Sequence, residues 1–188
     1  RGALPIAIKA REEGFKYKDS RDLLGFVDGS ANPKGTDKRK LEALIPEGMD
    51  YENGSFVLVQ KWVHKITEFK TRSLKEQEEV IGRTRKNSIE LEGEAMPNNS
   101  HVSRTDIKVK DEAMKIFRRS YPYTNKEESG LFFLAFAKKI ARFDIQLKRM
   151  VGATEDKVSD RLMEFSTPHT GSYYFAPSRI QLIDILEN

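Results

Sequence analysis

Three histidines and no cysteine limit what this chain can do with a transition metal. Without thiolates, such a metal must be held by imidazole, carboxylate, Tyr or Met, and the imidazoles are His64, His101 and His169. His101 lies in Pro97-Asn-Asn-Ser-His-Val-Ser-Arg104, read as a turn-rich loop just ahead of a strand. Such a loop could present an imidazole rigidly to one face of a planar cofactor; a solvated loop histidine fits the same residues. His64 ends an apolar run on a charged patch and His169 follows Pro168, so both read as surface side chains. Asp28 stands in Gly25-Phe-Val-Asp-Gly29. Its flanking glycines would let the backbone approach a ligand closely, and a buried carboxylate there could shuttle protons, although Asp-Gly is also an ordinary turn. Arg118 falls, at a strand's period of two, on one face with Met114, Ile116 and Ser120. A cation there could hold developing negative charge, or pack its stem and keep its head in water.

The elements that must position these residues are legible from pattern. Residues 1–54, with turn signals at Asp28-Gly29, Asn32-Pro33, Lys34-Gly35 and Asn53-Gly54, read as a linker and loop segment. Residues 55–188 then read as one folded unit. Ser55–Val63 is β-branched and aromatic and predicts a strand. Ser73 and Glu76 form a capping-box pattern for a helix ending at Gly82. Residues 84–112 are polar and turn-rich. Ala113–Tyr121 and the apolar Leu131–Ala137 predict two strands, the second covered on both faces. Ile140, Phe143, Leu147, Met150 and Val151 recur at helical spacing before a stop at Gly152. A further helix is predicted over 155–165 and a last strand over 171–177. The order β-α-β-β-α-β predicts an α+β, ferredoxin-like domain with an antiparallel sheet.

At 188 residues and 38% hydrophobic composition the chain can bury one ordinary core. Its 33 basic and 29 acidic side chains are interleaved, so a net charge of +4 does not amount to a basic tail. The absence of cysteine excludes disulfides and thiol nucleophiles and favours a cytoplasmic setting. No apolar stretch approaches the roughly 18 to 20 residues that span a bilayer, and the first residues lack the apolar core of a signal peptide. A start without Met that runs at once into a motif-bearing loop is expected of a fragment or processed chain.

Taken together, the motifs resemble a known family. Gly25-Phe-Val-Asp-Gly29, continuing as Ser30-Ala-Asn32-Pro33, resembles the GxxDG fingerprint of DyP-type (dye-decolourising) haem peroxidases, with Ser30 where the family usually has Thr. The blocks at 80–85, 99–106, 116–123, 130–133 and 170–177 resemble later family blocks in the same order, so the resemblance covers about residues 15 to 178. It is nearest to the compact bacterial, cytosolic branch called type B. It implies a member of the dimeric α+β barrel superfamily that carries one haem b per chain and uses hydrogen peroxide to oxidise small organic donors, dyes and phenolics, in one-electron steps. On matching positions it implies His101 as the iron ligand, Asp28 as distal acid and base and Arg118 as distal cation. It also implies Ser120 as a polar residue for water or peroxide and Phe133 as roof of the pocket. Asp160 becomes the carboxylate that accepts the imidazole's second N–H, and Arg83 a partner for a haem propionate or a plain surface Arg. Trp62, Tyr121, Tyr123, Tyr173 and Tyr174 become candidate electron relays. The family carries two ferredoxin-like halves, so a homo-oligomer or association with a missing N-terminal half is expected. A haem-binding or haem-iron-handling protein without turnover remains an alternative with the same ligands. An RNA-binding ferredoxin-like module ranks below both, because the expected aromatic pair with interleaved Lys and Gly is missing from the central strands.

Overall fold

The computed structural model describes Ile8 and residues 11–187. In chain order its elements are α1 (Thr36–Ala43), β1 (Ser55–His64), α2 (Ile66–Thr71), α3 (Leu74–Ile81), α4 (His101–Thr105), β2 (Lys108–Val109), β3 (Glu112–Ala113), β4 (Phe117–Arg118), β5 (Tyr121–Thr124), β6 (Ser129–Ala137), α5 (Ala141–Met150), β7 (Ser166–Ala176) and α6 (Arg179–Glu187). The apolar, β-branched β1 lies inside the sheet, paired antiparallel with β6 on one side and β7 on the other. On its far edge β6 carries β4 and β5 end to end. The resulting order, β4/β5-β6-β1-β7, is that of the ferredoxin-like fold anticipated from the sequence. β6 approaches β1 so closely that a Cβ on Gly130 would sit 1.8 Å from the Trp62 carbonyl oxygen.

Two packed clusters flank a cavity. Leu58, Ala135, Ala137 and Phe143 seat α5 on the sheet. Leu24, Phe26, Phe69, Val80, Ile81 and Phe165 fasten the Gly25–Gly29 loop to α2, α3 and the start of β7. α3 begins at the expected capping box, with Ser73 Oγ accepting from the Glu76 N–H and the Glu76 carboxylate accepting from the Ser73 N–H. It ends at Gly82 in the left-handed region, φ 88°. A Cβ there would lie 2.9 Å from both Ser100 Oγ and the Val102 Cβ, so the glycine is what lets α4 sit against the end of α3. Buried Arg142 on α5 donates to Glu42 and Glu112 and to the Lys115 carbonyl, tying α1 and β3 to the same helix.

Two predicted elements differ. The strand expected over 113–121 is broken: Lys110 and Asp111 take positive φ, 48° and 63°, and turn β2 back into β3. Further on, Ser120 Oγ rather than a backbone carbonyl accepts the Leu134 N–H at 3.4 Å, which separates β4 from β5. No helix forms over 155–165. Gly152 and Lys157 take positive φ, Val151 bridges Ser159, and only a single 3-10 turn follows at Arg161–Glu164. Among the described residues no helix is long and apolar enough to cross a membrane.

Phe69 is fully buried at the centre of the second cluster, in edge contact with both Phe26 and Phe165. Phe69→Ala is expected to cost about 3–5 kcal/mol of unfolding free energy, read by urea denaturation. Because it unseats the loop as well as the core, it should also speed amide exchange across residues 24–28.

Candidate active site

Between the two clusters lies a cavity whose empty space, mouth included, is about 1120 Å³, above the range usual for small-ligand sites. It is walled mainly by apolar side chains and lined by His101, Asp28, Arg118, Phe133 and Arg83.

His101 is the first residue of α4, not a loop residue ahead of a strand. Ser100 caps that helix, accepting from the Ser103 N–H, so the imidazole stands on a fixed backbone. Its Nδ1 is 2.6 Å from Asp160 Oδ2, and the Asp160 side chain is 0% exposed. The other oxygen of that carboxylate accepts the Leu162 N–H at 2.8 Å. A fully buried carboxylate with a short bond to Nδ1 fixes the proton on that nitrogen and leaves Nε2 free as a lone-pair donor. One imidazole with a buried carboxylate behind it, on a largely apolar cavity, is a donor set that fits a haem, with His101 as the residue that would hold the iron.

Asp28 and Arg118 meet on the same cavity, with Nε to Oδ1 at 3.7 Å and side chains 21% and 17% exposed. They also line a second, more polar hollow that includes Ser120. Ser120 is thus beside the pair but on that other side, its hydroxyl engaged with β6. Phe133 stands on the main cavity, packed against the α5 cluster. Arg83 reaches the cavity, yet its guanidinium is paired with Glu90 and donates to the Ser88 carbonyl at 3.0 Å. His169 is about half exposed, as expected.

Residues 19–181 match the family model described as Dyp-type peroxidase, C-terminal. The chain belongs to the DyP-type peroxidase family. It is 36% identical over 186 residues to a dye-decolorizing peroxidase of Mycobacterium tuberculosis, a match covering 97% of this chain and 54% of the relative. A dye-decolorizing protein from V. cholerae superposes with a TM-score of 0.84 at 40% identity, over 91% of this chain and 56% of that one. A variant of DypB from Rhodococcus jostii, solved in complex with heme, gives 0.85 at 40% identity, over 93% and 56%. The chain spans about half the length of the curated relatives it matches.

In this DyP-type chain the fingerprint does more than display Asp28. Asn32, four residues on, accepts the Arg118 N–H at 2.8 Å through Oδ1 and donates to the Arg118 carbonyl at 3.0 Å through Nδ2. One amide side chain thereby acts as a short strand against β4. Gly29 makes room for it: its φ is +75° and a Cβ would lie 2.6 Å from Asn32 Nδ2. The sequence contains the Asn-Pro signal, but nothing local in it points to a partner 86 residues away. The reading of His64 as a surface residue is corrected. Its side chain is 4% exposed, because β1 is covered on the face where it ends, and burial pushes its pKa down to about 4. Asp22, which sequence reasoning passed over, also lines the cavity. Burial, with the nearby charge of Asp28 adding to it, pushes its carboxyl up to about 7 against three backbone N–H donors.

Asn32→Ala leaves the Arg118 backbone N–H and carbonyl without their partners, at a cost of about 1–3 kcal/mol. Asn32→Asp keeps the acceptor and loses the donor, so it should fall between wild type and Ala. Thermal unfolding ranks the three, and amide exchange at Arg118 should accelerate in the same order.

Proposed function

We propose that this chain is the haem-holding part of a peroxidase that uses hydrogen peroxide to oxidise small organic donors, dyes and phenolics among them, one electron at a time. The observation that carries the reading is a single cavity lined both by an imidazole backed by a buried carboxylate and by a carboxylate–guanidinium pair. The relatives' names, dye-decolorizing peroxidase and a DypB variant in complex with heme, support it. When bound, one haem b would supply an iron centre that takes up peroxide and relays electrons from the donor.

The chain's own residues would do the rest. His101 would hold the iron through Nε2, and Asp160, by keeping the Nδ1 proton, would make the ring a stronger donor. Asp28 would take a proton from peroxide and return it to the departing oxygen. Arg118, held in place by Asn32, would stabilise the negative charge that develops. Ser120 would order water reaching Asp28 from the polar hollow, and Phe133 would keep the main cavity dry. Arg83 would meet a haem carboxylate by exchanging its bond to Glu90. We also assign the protein to the cytoplasm, on the absence of cysteine. Association with another copy, or with the half of the fold that the longer relatives carry, is supported by the exposed side chains of β7 and α6.

Haem reconstitution tests the ligand: the Soret band is expected to vanish or weaken severely in His101→Ala and to persist in His169→Ala. Equal retention in both would remove His101 from the iron. For the peroxide reaction, Arg118→Leu is expected to lose roughly 10²–10³-fold and more than Asp28→Asn. Water can relay a proton, whereas Arg83, the other guanidinium on the cavity, is committed to a carboxylate, Glu90 without haem and a haem carboxylate with it. Stopped-flow mixing with peroxide checks the ranking, and a larger loss at Asp28 would reverse it.

A further inference from the structure

One polar pair in the cavity wall is not used by the chemistry above. Asp22 Oδ2 and His64 Nε2 face each other at 3.9 Å, and both side chains line the cavity. Each is fixed by what holds its other side. Asp22 Oδ1 accepts the N–H groups of Leu24, Gly25 and Phe26 at 3.0 to 3.3 Å. His64 Nδ1 is 2.8 Å from Ser166 Oγ, across the β1–β7 pairing. That leaves His64 Nε2 buried and, among the described residues, without a hydrogen-bond partner. A buried ring nitrogen in that state is costly, and Asp22 Oδ2 is the group turned toward it.

The loop folds so as to put this pair beside Asp28. Arg21 bridges Val27, the Asp22 N–H donates to the Phe26 carbonyl at 2.9 Å, and the Asp28 N–H donates to the Ser20 carbonyl at 2.9 Å. Asp22 and Asp28 are therefore close enough to feel each other's charge. The ionisable side chains sharing the cavity with Asp22 are Asp28, His64, Arg83, His101, Asp106 and Arg118. With the carboxyl pushed up to about 7 and the imidazole down to about 4, the order of the free side chains is reversed. Between those values the proton sits on Asp22, and the pair carries no net charge.

We propose that Asp22 and His64 form a second acid–base pair of the cavity, keeping one proton on Asp22 Oδ2, which faces His64 Nε2, and supplying it through Asp28 when turnover consumes protons. The proposal rests on the peroxidase reading, because the demand comes from stoichiometry: reducing hydrogen peroxide to two waters takes two electrons and two protons. The donor gives the electrons, and the protons have to reach an enclosed site. In the relay the Asp22 O–H bond breaks, an O–H bond forms on the Asp28 carboxylate, nothing changes oxidation state, and solvent reprotonates Asp22. Asp22 acts through Asp28 and is in that sense a positioning residue.

The pair also leaves a signature in stability. The raised value at Asp22 means native protein holds a proton that the unfolded chain has released, so its contribution is present in acid and is lost as pH rises through about 7. The lowered value at His64 means native protein refuses a proton that the unfolded chain takes, so its contribution is lost as pH falls through about 4. Between these limits the two slopes oppose each other in wild type. Asp22→Asn keeps the acceptor for the three N–H groups and should uncover the His64 slope, stability rising with pH. His64→Gln should uncover the opposite one.

The test uses wild type, Asp22→Asn and His64→Gln, each apo and haem-loaded. Infrared difference spectra of the apo chain should show a protonated carboxyl that disappears as pH rises through about 7 and is missing in Asp22→Asn. Steady-state donor oxidation should fall over the same range in wild type. Asp22→Asn should lose that limb and run about tenfold slower on its acid side, with a smaller loss in the first reaction with peroxide. No carboxyl titrating near 7, or one untouched by Asp22→Asn, overturns the pair. A carboxyl that titrates while the kinetic limb stays in Asp22→Asn overturns the relay. Haem-loaded wild type that does not turn peroxide over overturns the peroxidase reading and the relay with it, and the infrared band still decides the pair.

Discussion

The buried carboxylate of Asp160 is the constraint around which the site is organised. A carboxylate taken wholly out of water costs several kcal/mol unless its oxygens are met. Here His101 Nδ1 meets one and the Leu162 N–H the other. The first comes from α4 and the second from the turn after α5, so neither segment can move without stranding the charge. Backbone bonds run the same way: the Asp160 N–H goes to the Met150 carbonyl and the Arg161 N–H to the Asn99 carbonyl. Arg104 adds a clamp from the other end of α4, its guanidinium 2% exposed and bonded to Asp156, Thr154 and the Arg149 carbonyl. An imidazole held this way is orientated before any cofactor arrives, which is what a metal ligand needs in order to bind without paying for reorganisation.

The other side of the site rests on a weaker element, a two-residue strand at the edge of a sheet. Edge strands leave backbone groups unpaired, and β4 pairs with β6 over only Phe117 and Arg118. Asn32 supplies the missing neighbour, joining the loop that bears Asp28 to the strand that bears Arg118. The hydrophobic cluster under Leu24 and Phe26 holds the same loop from below. Carboxylate and guanidinium are thus positioned by one loop rather than by two independent supports.

The electrostatics of the cavity follow from its apolar walls. Asp28 has Arg118 beside it; Asp22 is driven toward the neutral form by burial. Asp22 and His64, which face each other on the cavity wall, are pushed in opposite directions, the carboxyl up and the imidazole down. Pairs of titratable groups pushed apart by their surroundings are how one site comes to hold both an acid and a base.

The sequence by itself determined the order of the main elements along the chain, because the apolar runs of β1 and β6, the capping box of α3 and the amphipathic spacing of α5 are local patterns that each specify one element. It also determined the fingerprint loop, through glycines at 25 and 29 that take positive φ where other residues would be strained. Ser100 capped α4 from within the same stretch, although the stretch read as loop, since five helical residues carry too little periodicity to be seen. What only the tertiary structure decided was which polar groups face one another. Asn32 with Arg118, His101 with Asp160 and His64 with Asp22 are separated by 86, 59 and 42 residues. The burial that pairs them, and that turned His64 from an expected surface residue into part of the cavity wall, comes from strands and helices packed across those gaps. Period and composition report how a residue sits on its own element; they carry no information about what the opposite wall presents to it.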